Sequence, residues 1–135
     1  MLYMLDTHAA SEAIRGNPLF DARLQALAPG QWCVGAVTCS ELRYGIARRP
    51  EAVRLARLVE AFLHITAILP WDARAANQHG QLRAYLRAQG SPIGDFDEMI
   101  AAHALALDAI LVTDNVRHFE RIPGLRIENW LRQGH

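Results

Sequence analysis

The chain opens on a short apolar run, residues 1–5, that stops at Asp6-Thr7-His8. A run of this length ended by polar residues predicts a buried strand and a turn. Residues 9–15 read as a helix broken by Gly16-Asn17-Pro18, and residues 19–27 as a second helix stopped by Pro29-Gly30. Residues 32–37 are apolar again and carry two valines, which predicts a second buried strand. Thr38 and Glu41 then have the spacing of a capping box, predicting a helix start at that point.

The second half repeats the rhythm. Val53, Leu55, Leu58, Val59 and Phe62 recur at helical spacing within residues 51–63, and residues 65–69 predict a third strand closed by Pro70. Asp72 is the expected cap of a longer helix running to Gln89, with Gly90 ending it. Asp95 and Glu98 open another helix that reaches Leu107 through an Ala-rich stretch. Residues 109–112 predict a fourth strand ending in Thr113-Asp114-Asn115, and residues 125–127 a fifth before Glu128-Asn129-Trp130. Alternating strands and helices define the α/β class: a central, mostly parallel sheet of four or five strands flanked by helices on both faces. No repeat, linker or low-complexity tract interrupts it, so one domain is expected over residues 1–135.

Composition narrows the chemistry. The 14 basic residues balance 14 acidic ones, and every basic residue is Arg. Without Lys there is no P-loop of the usual kind and no Schiff-base chemistry. Neutrality does not exclude nucleic acid, because binding depends on where Arg clusters. Cys33 and Cys39 have no second Cys or His pair to complete a zinc site and read as small buried hydrophobes in a reducing compartment. No run approaches the ~20 apolar residues of a membrane span, and the start lacks a leader pattern, so a cytoplasmic chain is expected.

In open parallel sheets the ligand site lies beyond the carboxyl ends of the strands. Asp6 follows the first predicted strand, Glu41 the second and Asp114 the fourth, while Asp97 begins the helix before the fourth. Carboxylates gathered on one edge repel unless a cation neutralises them, and hard oxygen donors favour Mg²⁺ or Mn²⁺. Local roles compete at each position: a capping box for Glu41, a helix-dipole acid for Asp95 and Asp97, a turn residue for Asp114. Asp6 is the hardest to explain locally, since a charge directly after a buried run is costly unless paired. His103 lies in an apolar helix and reads as a core histidine. His64, His79, His118 and His135 carry no motif, and no Ser has a His–acid frame.

The segments MLYMLDT, TCSELRYG and PIGDFDEMIAAHALALDAILVTDN followed by HFERIPGLRIENW together resemble the PIN domains of VapC toxins, over nearly the whole chain. The resemblance implies a Mg²⁺- or Mn²⁺-dependent endoribonuclease that cuts structured RNA such as transfer or ribosomal RNA. Hydrolysis by metal-activated water would leave a 3′-hydroxyl and a 5′-phosphate. It also implies silencing by a VapB-type antitoxin and a homodimer within a larger toxin–antitoxin assembly. By position the family's metal-binding acids fall on Asp6, Glu41 and Asp97. Its fourth polar position falls on Asn115, with Asp114 beside it, and which of these two faces the metal stays open at this level.

His8 departs from the Asn common after Asp-Thr and is expected to tune the site. Thr113 is expected to orient a ligand. Arg15, Arg43, Arg48, Arg49 and Arg117 are candidates to hold RNA phosphates around an acidic pocket. The apolar faces of the early helices and of residues 51–63 are candidates to receive the antitoxin. The alternative reading is a PIN-like binding module without turnover. An aspartyl-nucleophile hydrolase centred on Asp6 would want Asp where His8 stands.

Overall fold

A computed structural model describes residues 1–131, so His135 lies outside the described residues. Five strands form one sheet in the order β3-β2-β1-β4-β5. They are β1 (Tyr3–Leu5), β2 (Trp32–Gly35), β3 (Ile68–Leu69), β4 (Ile110–Val112) and β5 (Arg126–Glu128). Every neighbouring pair is parallel, with Met4 opposite both Cys33 and Leu111. The helices are α1 (Thr7–Ile14), α2 (Pro18–Gln25), α3 (Ala36–Ala47), α4 (Val53–Ile65), α5 (Ala73–Ala88), α6 (Asp95–Leu107) and α7 (Val116–Phe119).

The apolar strand runs reflect burial on both faces. Met4, Cys33 and Leu111 pack with Leu82, Leu86, Ile100 and Phe119 on one side. Their chain neighbours Leu5, Val34 and Val112 pack with Ala9, Phe20, Val59, Phe62 and Trp130 on the other. Period-two alternation thus feeds two cores from each central strand. Cys33 is a buried free thiol whose pKa burial pushes up to about 12, while Cys39 is free and partly buried. No helix among the described residues is long and apolar enough to cross a membrane.

Several boundaries differ from the sequence reading. β2 ends at Gly35 and α3 starts at Ala36, so Thr38 and Glu41 are not a capping box; Gly35 is the N-cap and Thr38 is fully buried. Helical backbone over Ala36 and Val37 displaced the expected strand end. Likewise Ile65 belongs to α4 and β3 keeps only two residues. Asp72 does cap α5, its carboxylate accepting the Ala75 N–H at 3.0 Å. Asp95, however, is the first residue of α6 and Gly94 its N-cap, with no side-chain cap bond. The expected core stripe of α4 is only partly buried: Val59 and Phe62 are inside, while Val53, Leu55 and Leu58 are exposed.

Candidate active site

The sheet order sets the location. The chain winds outward from β1 through β2 to β3, then returns to the other side for β4 and β5. The switch point is therefore the crevice between the carboxyl ends of β1 and β4. Asp6 leaves β1 there, and Thr113, Asp114 and Asn115 leave β4. A cavity of about 500 Å³ lies over this crevice, lined by Asp6, Thr7, His8, Glu41, Asp97, Asp114 and Asn115. All five predicted site residues line it, and neither Asp114 nor Asn115 is turned away.

Asp6 sits deepest, at 5% exposure. It is the N-cap of α1: Oδ1 accepts the Ala9 N–H at 2.8 Å. The helix begins at Thr7, two residues before the apolar pattern announces it. The Thr113 hydroxyl also donates to Asp6 and accepts the Asn115 N–H at 2.9 Å, which ties both edges of the crevice together. Burial pushes the Asp6 carboxyl above its ordinary range, and the nearby Asp97 adds to this. Thr113, Ala9 and His8 offset it only in part.

The remaining acids come from separate elements. Glu41, in the second turn of α3, accepts a hydrogen bond from the Thr7 hydroxyl. Asp97 lies in the first turn of α6, with Nδ1 of His118 3.9 Å from its Oδ2. Partial burial raises the Asp97 pKa, and His118 opposes the rise. Asp114 accepts from the Asn129 amide at 2.8 Å, and Asn129 is itself buried and fixed by the Leu131 N–H at 2.9 Å. His8 is exposed on the lining, with Nε2 3.7 Å from Glu12 one turn along.

The donor set is all oxygen apart from His8 and the Asn115 amide nitrogen, with no Arg in the lining. Its chemistry fits a hard divalent cation. As the side chains stand, no three His, Cys, Asp or Glu groups among the described residues converge to share one ion.

Sequence reasoning missed several supporting residues. Thr7 and Asn129 hold acids in place, and His118 faces Asp97, although none carries a spacing signal of its own. Glu98, beside Asp97, is fully buried, with Arg83 at 3.0 Å and His79 at 3.7 Å. His103 is a core residue as expected; burial pushes its pKa down, and it meets Trp71 edge-on. Of the candidate arginines, Arg43 pairs with Glu60 and lines neither the pocket nor the grooves beside it. Arg15, Arg48 and Arg49 line a neighbouring groove, and Arg117 lines another on the opposite side.

Comparison with known proteins agrees with this fold. The PIN domain family model matches residues 3–125. The chain is 41% identical to the tRNA(fMet)-specific endonuclease VapC of Shigella flexneri, covering 95% of this chain and 97% of that one. It is 38% identical to ribonuclease VapC2 of Haemophilus influenzae, covering 96% and 98%. The fold superposes on VapBC2 of Rickettsia felis, solved bound to a promoter DNA fragment, with a TM-score of 0.90 at 33% identity over 96% of this chain and 99% of that one. The chain belongs to the PIN-domain family. Within that family it stands among the VapC ribonucleases, the endoribonuclease toxins of toxin–antitoxin pairs.

Proposed function

We propose that the chain hydrolyses phosphodiester bonds in RNA at the Asp6–Asp97 pocket and does so with Mg²⁺ or Mn²⁺. The observation that carries this reading is the meeting, at the switch point, of carboxylates from β1, α3, α6 and the end of β4 with no arginine among them. Asp6, Glu41, Asp97, Asp114 and Asn115 would hold the cation. When bound, a divalent ion neutralises charge on the phosphate and lowers the pKa of water. The protein's part is positioning: Thr113 fixes Asp6, Thr7 fixes Glu41, and Asn129 fixes Asp114. Mutual repulsion and burial leave Asp6 and Asp97 short of positive charge, which a cation supplies.

The substrate class we assign is structured RNA such as transfer or ribosomal RNA, in keeping with the tRNA(fMet)-specific activity named for the Shigella relative. A VapB-type antitoxin is the proposed partner, since related chains were solved as VapBC complexes. The exposed Val53 and Leu58 of α4 offer it an apolar seat. A homodimer in the cytoplasm completes the reading.

A melting titration with Mn²⁺ separates this enzyme from a PIN-like module without turnover. The melting temperature rises by several degrees at saturation, and Asp97→Asn removes most of the rise. A melt insensitive to Mn²⁺ contradicts the metal assignment.

A further inference from the structure

The acidic pocket continues on two sides, and the two sides differ in charge. One groove shares Thr7 and Glu41 with it and runs between α1, α3 and α4; its charged residues are Arg15, Arg48 and Arg49 against Glu41 alone. The other shares Asp114 and Asn115 and carries Glu120 and Glu128 besides, against Arg117 alone. A phosphate backbone entering by the second side meets three carboxylates. By the first it meets three guanidiniums, which hold phosphate bidentately.

These arginines are available. Arg15 and Arg49 are themselves exposed and each has a single acidic partner, the half-buried Glu12 at 3.4 Å and the exposed Glu51 at 3.5 Å, and pairs with an exposed member are worth little. Arg48 has no acidic partner among the described residues; its guanidinium lies 5.7 Å from the ring centre of Tyr44, which is 66% exposed. Tyr44 stands outside the groove's lining, next to Arg48 one turn along α3, and an exposed ring beside guanidinium groups is a combination that holds single-stranded nucleic acid, with bases on the aromatic face and phosphates on the cations. The helical rise puts Arg48 about 10 Å beyond Glu41 along α3, and Arg15 about 13 Å beyond Asp6 along α1. They grip the strand beside the bond being cut and not the bond itself.

Resting on the ribonuclease reading above, we propose that the RNA strand runs from the acidic pocket along the α1–α3 groove. Its phosphates lie on Arg15, Arg48 and Arg49, and one base stacks on Tyr44.

The test is binding of a labelled single-stranded RNA oligomer to full-length Asp6→Asn chain across a salt series, because phosphate contacts need no particular sequence. Adding Arg15→Gln, Arg48→Gln and Arg49→Gln together weakens binding about tenfold or more and lowers the log–log salt slope by about 2. Tyr44→Ala weakens it about fivefold or more with the slope kept. Arg43→Gln stays within about twofold. Unchanged affinity in the triple variant, or loss with Arg117→Gln in its place, overturns the path. So does a triple variant that keeps RNA affinity and loses only antitoxin binding, since the groove then belongs to the protein partner. Failure of the ribonuclease reading shows separately, as absence of Mn²⁺-dependent RNA cutting by the unsubstituted chain.

Discussion

Asp6 and Ala9 are joined by a 2.8 Å hydrogen bond in which the carboxylate accepts the backbone N–H. The residue proposed to hold the cation therefore also caps α1, and substitution separates the two roles. Asn keeps a capping acceptor, whereas Ala does not. Asp6→Ala is expected to lower stability by about 1 kcal/mol. Asp6→Asn should leave the metal-free melting temperature unchanged or raise it, because it relieves a buried charge. Thermal melts of the three chains decide this.

The parent and Asp6→Asn also differ in a defined way with pH. The Asp6 pKa is raised from an ordinary 3.8, mainly by burial. The folded state therefore binds more protons than the unfolded state between the two values, and this contribution to stability is lost as pH rises through the folded pKa. Relative to Asp6→Asn, the metal-free parent should fall behind as pH rises from below 3.8 toward neutrality. Saturating Mn²⁺ should close that gap. Melts of both chains across pH check the sign, and a gap that widens toward acid contradicts it.

How much of this was legible in the sequence differs by residue. Asp6 directly follows an apolar run, and Asp97 and Asp114 each stand one residue from theirs, so the strand and helix ends put all three on one edge. Glu41 was placed by its position after the second strand and by the family resemblance, against a competing local role. Its capping-box spacing with Thr38 is coincidental, because Gly35 already ends β2 and caps α3. What brings Glu41 to the pocket is a hydrogen bond from Thr7 of α1, a contact between residues 34 apart. Glu98 was invisible for the same kind of reason. A Glu in the first turn of a helix reads as solvent-facing, and only Arg83 and His79 of α5 reveal that it is buried. The four-residue α7 is too short for periodicity to announce.

Gly35 is required by close approach. A Cβ built there would lie 2.6 Å from Nδ1 of the buried His103. Gly35→Ala should therefore cost about 1–3 kcal/mol by overpacking. With His103→Ala in the same chain, the cost of Gly35→Ala should shrink, giving a clear coupling in a double-mutant cycle. Additive costs would mean that the two positions do not meet.

The Glu98 carboxylate is fully buried and leans on Arg83 at 3.0 Å. Removing the guanidinium leaves a buried charge with His79 alone, so Arg83→Ala should cost about 3 kcal/mol in denaturant unfolding. Adding Glu98→Gln should recover part of that loss. Asp95, the exposed second partner of Arg83, should matter by less than about 0.5 kcal/mol.

The claim that RNA is cut at this acidic pocket is tested most directly by incubating end-labelled RNA with the parent chain and with Asp97→Asn, in Mn²⁺ and in chelator. The account predicts cleavage to 5′-phosphate ends by the parent in Mn²⁺. It predicts none in chelator and none by an Asp97→Asn chain whose melt shows it folded. Undiminished cutting by that variant, or by the parent in chelator, would contradict it.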